Sequence, residues 1–337
     1  KVPPVPGLGE APFLTNSTLF NLTELPPRFV VLGAGPIGLE MAQAFARFGS
    51  RVTVLEGLPR VLGPEDADAA AVVHKALEAD GVRILAGIKV KSVAHTAGTP
   101  WPEIRIEVEN GEPETVVCDA LLVATGRAPN VEGLGLEAAG VDYQPGLGVR
   151  VKDDLTTSNP DILAVGDAID RPELRFTHMA GTMAGMAVQN ALFDGRDLPV
   201  NAPSTKLSDI VVPRCTYTEP EVASCGISNT DAAAARKIEV DVYTSKLDDN
   251  DRAILEGADD GGFVRVLCRR GTDEIVGATV VAERAGDMLA ELTLAVQNRI
   301  GLSAVARTVH PYPTMGEAVQ QCALNYNRSR WEKLGSS

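Results

Sequence analysis

Hydrophobic periodicity changes several times along the chain, and each change marks an element. Phe29-Val30-Val31-Leu32 is a short unbroken apolar run, the pattern of a buried strand. Glycines at 33, 35 and 38 follow it, and a helical period then runs from about Pro36 to Phe48, where Gly49 stops it. Arg51 to Leu55 predicts a second strand, ending in Glu56. An amphipathic helix is expected from about Asp66 to Asp80, with Val72, Val73, Ala76 and Leu77 on one face and Gly81 as its stop. Arg83 to Leu85 and Lys89 to Val93 read as strands. Ile104, Ile106 and Val108 alternate with polar residues, and Asn110-Gly111 separates them from Val116-Val117, which predicts a hairpin. Asp119 to Ala124 is a further buried strand, leading into Thr125-Gly126-Arg127. The first part is therefore expected to be α/β, with the hairpin closing its sheet.

Residues 128–200 predict short strands and one Ala/Gly/Met-rich helix, from about Thr177 to Phe193. Beyond Thr205, strands (Ile210 to Val212, Val240 to Tyr243, Phe263 to Arg269, Ile275 to Val281) precede helices (Asp287 to Asn298, Leu302 to Ala306, Met315 to Asn325). Strands followed by helices point to an α+β domain. The predicted divisions are a loop-like, proline-rich stretch at 1–25, then 26–127, 128–200 and 205–337.

The chain has 337 residues, enough for two or three domains. Its net charge of −14 argues against nucleic acid or an anionic membrane surface as a partner. No apolar run approaches the roughly 18–20 residues of a membrane span, and residues 1–12 do not read as a signal peptide. The five cysteines are odd in number, scattered and without a close pair, which suits reduced thiols. The expected location is cytoplasmic or an organelle interior, matrix or chloroplast stroma, and not secreted. With the four histidines scattered as well, no metal site is expected.

Strand, glycine loop, helix, second strand and terminal acid together make a dinucleotide fingerprint. Gly33 permits the tight turn, Gly35 lets the backbone approach a pyrophosphate, and Gly38 lets helix and strand pack closely. The helix N-terminus at Pro36 and Ile37 offers unpaired N–H groups and partial positive charge to phosphates. Glu56, 23 residues beyond Gly33, can accept both hydroxyls of an adenosine ribose and would repel a 2′-phosphate, favouring NADH over NADPH. The plainer alternative is a glycine turn without a ligand.

Three further motifs lie downstream: Ala124-Thr-Gly126-Arg127-Ala-Pro-Asn130, Thr156-Thr-Ser-Asn-Pro-Asp-Ile-Leu-Ala-Val-Gly166-Asp167-Ala168, and His310-Pro-Tyr312-Pro-Thr-Met-Gly-Glu317. Their order and spacing resemble the pyridine nucleotide–disulfide oxidoreductases, a family that includes glutathione reductase, dihydrolipoyl dehydrogenase and mercuric reductase. The resemblance runs from Val2 to Trp331. Mercuric reductase and its relatives are nearest in flavour, through Phe176 to Gly181, Thr216 to Ala223 and Tyr312.

That resemblance implies a Rossmann-like NAD domain inserted in an FAD domain of which only the later half is in this chain, followed by a C-terminal dimerisation domain. Gly166 would meet the ribityl-phosphate chain of FAD, and Asp167 would accept its hydroxyls. The helix starting near Thr177 to Gly181, with His178, Met179 and Ala180 in its first turn, would turn its positive end to the flavin pyrimidine. Alone, Gly166-Asp167 is only a strand-to-turn signal. Glu40 would lie near the nicotinamide–flavin contact, although in isolation it reads as a surface helix carboxylate.

In the family's His-Pro-Thr-x-x-Glu motif, the histidine is the acid/base and the glutamate orients it. Reading Tyr312-Pro-Thr-x-x-Glu317 preserves the spacing of five, and so places Tyr312 in the acid/base position; a phenol of pKa about 10 is a poor base at neutral pH. Reading from His310 puts Glu317 seven residues on. His310 also suits a turn held by Pro311, and Thr314-x-x-Glu317 also suits a helix capping box.

The family's first glycine motif and its C-x-x-x-x-C disulfide are not in this chain, and Val2 to Leu8 resembles the loop that closes the N-terminal FAD segment. About 100–150 residues, one domain's worth, are therefore expected ahead of Lys1. The implied function is hydride transfer from NADH through FAD to a disulfide, of a small molecule or a protein, or to a thiolate-bound metal. It would take place in a homodimer whose C-terminal domains complete each other's sites. The alternatives are dihydrolipoyl dehydrogenase or NADH oxidase activity, or a flavin-deficient, nucleotide-binding, dimerising subunit.

Overall fold

The computed structural model describes residues 1–193, 206–258 and 260–335, so the expected boundary between 200 and 205 lies outside the described residues. The chain divides into two compact units, residues 1–126 with 215–337, and residues 127–214.

The first unit begins with a parallel sheet. Its strands are β1 (Phe13–Leu14), β2 (Arg28–Leu32), β3 (Arg51–Glu56), β4 (Arg83–Ala86) and β8 (Ala120–Val123), in the spatial order β1-β8-β2-β3-β4. Every neighbouring pair is parallel. Parallel sheets are covered on both faces, and alternate residues of β2 show how. Phe29 and Val31 pack with Leu39 and Ala42 of α1 (Pro36–Phe48) and with Val73 and Leu77 of α2 (Ala67–Ala79). Val30 and Leu32 pack with Val93, Ile104, Ile106 and Val108 on the other face.

Those last residues belong to β5 (Lys89–Thr96), β6 (Glu103–Asn110) and β7 (Glu112–Cys118), an antiparallel sheet of their own. The predicted hairpin is present, but it covers the face of the parallel sheet rather than closing its edge. Its alternation explains this, since Ile104, Ile106 and Val108 all point to one buried side. The supposed loop of residues 1–25 also contributes, because Phe13–Leu14 pairs with Leu121–Leu122.

Residues 127–214 hold β9 (Tyr143–Gln144), β10 (Gly148–Val149) and α3 (Thr177–Leu192). Met179, Met183 and Met186 make the buried face of α3, against Val131, Val141, Val149, Leu155 and Ile169. The strand expected at Ile210 to Val212 does not form; Ile210 and Val212 pack against this core instead.

The remainder is an antiparallel sheet of β11 (Pro213–Thr216), β12 (Glu221–Gly226), β13 (Val240–Lys246), β14 (Phe263–Arg269) and β15 (Ile275–Ala282), in the order β11-β12-β15-β14-β13. Two short helices lie between its strands, α4 (Thr230–Ala235) and α5 (Asp251–Glu256). Three more follow, α6 (Ala285–Gln297), α7 (Leu302–Arg307) and α8 (Glu317–Gly335). The last starts at Glu317 rather than Met315, and the Glu317 side chain reaches back to accept from Thr314 N–H. Among the described residues, no helix is long and apolar enough to cross a membrane.

Two outcomes test this packing. A Cβ on Gly38 would stand 2.0 Å from the Gly33 carbonyl oxygen, so Gly38→Ala lowers stability by about 1–3 kcal/mol in a denaturant titration. Arg28 ties β2 to the start of β8, donating to Asp119 Oδ2 at 3.0 Å and Oδ1 at 2.5 Å, and these bonds hold Asp119 below the usual carboxylate range. A depressed folded-state pKa stabilises above the unfolded value of about 3.9 and ceases to do so as pH falls through the folded one. Asp119→Asn is therefore less stable than the native chain at neutral pH, and the gap closes in acid; a gap independent of pH would refute the pairing.

Candidate active site

The loop after β2 lies where the chain turns to β3 on one side while β8 flanks the other, the place at which open parallel sheets bind ligands. Gly33 has φ of +109°, and a Cβ there would stand 2.7 Å from the Ala124 carbonyl oxygen. Gly35 is the N-cap of α1, and a Cβ on it would meet nothing within 4 Å, which leaves the approach to the helix N-terminus open. Pro36 occupies the first turn, and Ile37 beside it is 38% exposed. This cradle fits a pyrophosphate, with free N–H groups at a positive helix end.

Glu56 ends β3 and is already engaged. Ala34 N–H donates to its Oε2 at 2.7 Å and Leu58 N–H to its Oε1 at 2.7 Å. The Ala34 carbonyl in turn accepts from Leu62 N–H at 3.0 Å. Glu56 thus joins the glycine loop to the loop after β3. A carboxylate has about four acceptor positions, so capacity for ribose hydroxyls remains. Arg60, the nearby cation, folds back on its own loop and donates to the carbonyls of Leu62 at 3.0 Å, Gly63 at 2.7 Å and Glu65 at 2.7 Å.

Glu40, Gln43 and Arg47 form one face of α1 and grip the segment after β11. Tyr217 N–H donates to Glu40 Oε1 at 2.9 Å. Gln43 accepts from Glu219 N–H at 2.7 Å and donates to the Glu219 carbonyl at 2.8 Å. Arg47 pairs with the Glu219 carboxylate and, at 3.0 Å, with Asp80. Burial raises the Glu40 carboxyl above its ordinary range, against the opposing effect of the Tyr217 N–H. Burial likewise pushes the thiols of Cys118, Cys215, Cys268 and Cys322 up to about 12, so these four are neutral and unreactive.

In the second unit, Gly166 has φ of +67°, and a Cβ on it would lie 3.2 Å from Ala180 Cβ, so the Gly166-Asp167 turn sits against the start of α3. Asp167 Oδ2 is 3.7 Å from Arg127 Nε. Met179 is buried in the core, whereas His178 is exposed, with Nε2 2.9 Å from the Pro213 carbonyl and its ring stacked on Phe176. Gly126, the last residue before this unit, has φ of +108°. Arg175 was not singled out from sequence. Its Nη2 donates to the carbonyls of Leu147 at 2.5 Å and Ile169 at 3.4 Å, while its buried Nε has no partner. An unsatisfied cationic donor near this turn fits a phosphate-bearing ligand such as FAD.

The third motif separates its residues. His310 is nearly buried, with Nε2 2.9 Å from Glu291 Oε2 and Nδ1 3.0 Å from the Thr308 carbonyl. Tyr312 is 71% exposed, and its hydroxyl donates to Asp251 Oδ2 at 2.7 Å. Glu317 Oε2 accepts from Thr314 N–H at 3.0 Å, the glutamate half of a capping box, while the Thr314 hydroxyl donates to the Pro311 carbonyl at 2.8 Å. Glu291 and Asp251 were missed from sequence, since each lies far along the chain from the motif it serves. Asn250-Asp251 does carry a local signal, a helix N-cap, with Asn250 Oδ1 accepting from Ala253 N–H at 3.0 Å. Among the described residues, no cluster of three or more His, Cys, Asp or Glu could hold a metal.

Residues 1–192 match the family model for pyridine nucleotide-disulphide oxidoreductases, and residues 212–323 match the model for the dimerisation domain of that family. Mercuric reductase of Acidithiobacillus ferrooxidans is 33% identical over 97% of this chain and 56% of its own length. Dihydrolipoyl dehydrogenase of Thermus scotoductus is 34% identical over 89% of this chain and 62% of its own. The chain thus spans under two thirds of these curated relatives. Among solved structures, the Cu(II) complex of the HOCl-induced flavoprotein disulfide reductase RclA from Escherichia coli aligns with a TM-score of 0.82 at 26% identity, covering 96% of this chain and 70% of that one. LpdA from Mycobacterium tuberculosis aligns with a TM-score of 0.80 at 29% identity, over 93% and 64%. Fold, glycine cradle and these matches agree, and the chain belongs to the pyridine nucleotide-disulphide oxidoreductase family.

Proposed function

We propose that the chain carries the NADH site, part of the FAD site and the dimer interface of a flavin-dependent oxidoreductase of the disulfide or mercuric reductase type. The observation that carries this reading is the glycine cradle, open at Gly35 and tied at Ala34 to Glu56, in a chain of this family. Residues 26–127 form the NAD domain, 128–200 the later half of the FAD domain and 205–337 the interface, with 1–25 the end of the flavin segment. Such a protein works in the cytoplasm or an organelle interior.

The N-terminus of α1 holds the pyrophosphate, and Glu56 receives the adenosine ribose. NADH is preferred, because a 2′-phosphate would meet the Glu56 carboxylate while Arg60 is committed to backbone carbonyls. Glu40 borders the nicotinamide, where its raised pKa lets it carry a proton at higher pH than an ordinary carboxyl. Asp167 accepts the flavin's hydroxyls beside Arg127, and the α3 N-terminus, from His178 to Ala180, favours negative charge near the ring. Bound FAD supplies a two-electron carrier between NADH and the acceptor. In the homodimer, Tyr312 serves the partner's site from a loop held by His310 and Glu317. The acceptor is a disulfide or a thiolate-bound metal. Dihydrolipoyl dehydrogenase activity is the second reading, favoured by the Thermus relative and opposed by tyrosine at the acid/base position.

Two measurements test this. Gly35→Ala adds a methyl group into the open cradle, so it weakens NADH binding about tenfold by calorimetry, while the melting temperature falls by no more than about 3 °C. Unchanged NADH affinity would remove the loop from the site. Tyr312→Phe in the full-length protein leaves NADH affinity intact and lowers acceptor-dependent NADH oxidation by about tenfold or more. A native full-length protein with no flavin absorbance and no such oxidation would overturn the reading as a whole.

A further inference from the structure

Tyr312 stands out from the surface, yet its hydroxyl has a fixed direction. Oη donates to Asp251 Oδ2 at 2.7 Å, and the loop that carries the ring is held at several points. Gln320 Nε2 donates to the Thr308 carbonyl at 2.6 Å, and His310 meets Glu291 at 2.9 Å. Asn250 Nδ2 donates to the Thr314 carbonyl at 3.1 Å, and Thr314 N–H donates to Glu317 at 3.0 Å. Asn250 and Asp251 are consecutive residues at the start of α5, so one helix terminus fixes both the backbone of the Tyr312 loop and its hydroxyl. Glu317, which the spacing of five assigns to Tyr312, has given an oxygen to the cap of α8.

We propose that Asp251 is the positioning residue for Tyr312: its carboxylate takes the single phenolic proton in a hydrogen bond, so that Tyr312 turns a neutral oxygen with acceptor lone pairs outward. The catalytic consequence rests on the reading of Tyr312 as the acid/base position. A phenol has one O–H to donate. Once that is committed to Asp251, the outward face accepts and does not donate. It suits a group that brings its own proton, such as the thiol formed when a disulfide acceptor is reduced. The surroundings support a neutral phenol. Lys246 at the end of β13, Asp249, Asp251 and Glu317 line the same pocket, so carboxylates outnumber the cation. The Asp251 hydrogen bond is the main cause raising the ionisation of Tyr312 above its ordinary value, and Glu317 adds to it through space.

The test is a pH titration of the full-length protein labelled at tyrosine Cζ with carbon-13 and read by NMR. The resonance absent from Tyr312→Phe identifies the one in question. Native Tyr312 is expected to ionise above the ordinary value of about 10. Asp251→Asn brings its titration down towards that value, Asp251→Ser does the same, and Asp251→Glu, which keeps the carboxylate, restores part of the upward shift. The other tyrosine resonances stay where they were. If Tyr312 titrates at the same pH in the native protein and in folded Asp251→Asn and Asp251→Ser, the proposal is wrong. The titration needs neither NADH nor an acceptor, so its failure is separable from failure of the proposed reaction.

Discussion

Helix α1 can lie where it does because Gly38 has no side chain: a Cβ there would stand 2.0 Å from the Gly33 carbonyl oxygen and 3.3 Å from Val31 Cγ1. Backbone-to-backbone approach sets the height of the helix over β2, and two functions hang on that height. At its N-terminus, the open position of Gly35 leaves room for a phosphate group against unpaired N–H groups. Along its side, Glu40, Gln43 and Arg47 reach Tyr217 and Glu219, and so join α1 to the segment between β11 and β12. A helix displaced by one methyl group would disturb both ends of this arrangement.

Charge is handled locally rather than by the net acidity of the chain. Each important carboxylate in the first unit has a designated donor. Glu56 takes two backbone N–H groups, Asp119 takes Arg28, and Glu317 takes the N–H of Thr314. Glu40 has one backbone donor in a half-buried setting, and burial outweighs that donor in raising its pKa. Two carboxylates of one unit therefore have opposite shifts, Glu40 upward and Asp119 downward, because one is dominated by desolvation and the other by a bidentate arginine.

Elements with a strong local period were legible from the chain alone. The helix at 36–48 and the strand at 263–269 fall where the apolar pattern puts them, since Gly49 and the flanking turns punctuate them sharply. Strand β12 was legible only as a motif, not as an element, because Glu221 to Gly226 has no alternation; it is buried between β11 and β15. The short helices α4 and α5 lack the length for a period to declare itself. Gly33 takes the left-handed turn, and Gly38 the close helix–strand approach, that their places in the loop predict. The bond from Thr314 N–H to the Glu317 side chain was legible because its partners are three residues apart.

What the sequence by itself determined are the interactions whose partners are close along the chain: the strand–glycine loop–helix unit, the caps and the hairpin. Only the tertiary structure decided which face the hairpin covers, that Glu56 binds the glycine loop it faces, and that Tyr312 belongs with Asp251 and His310 with Glu291. The physical reason is the range of the forces. Backbone propensity and capping act within a few residues, whereas a hydrogen bond between residues 61 apart in sequence exists only because folding brings the start of α5 against the loop before α8.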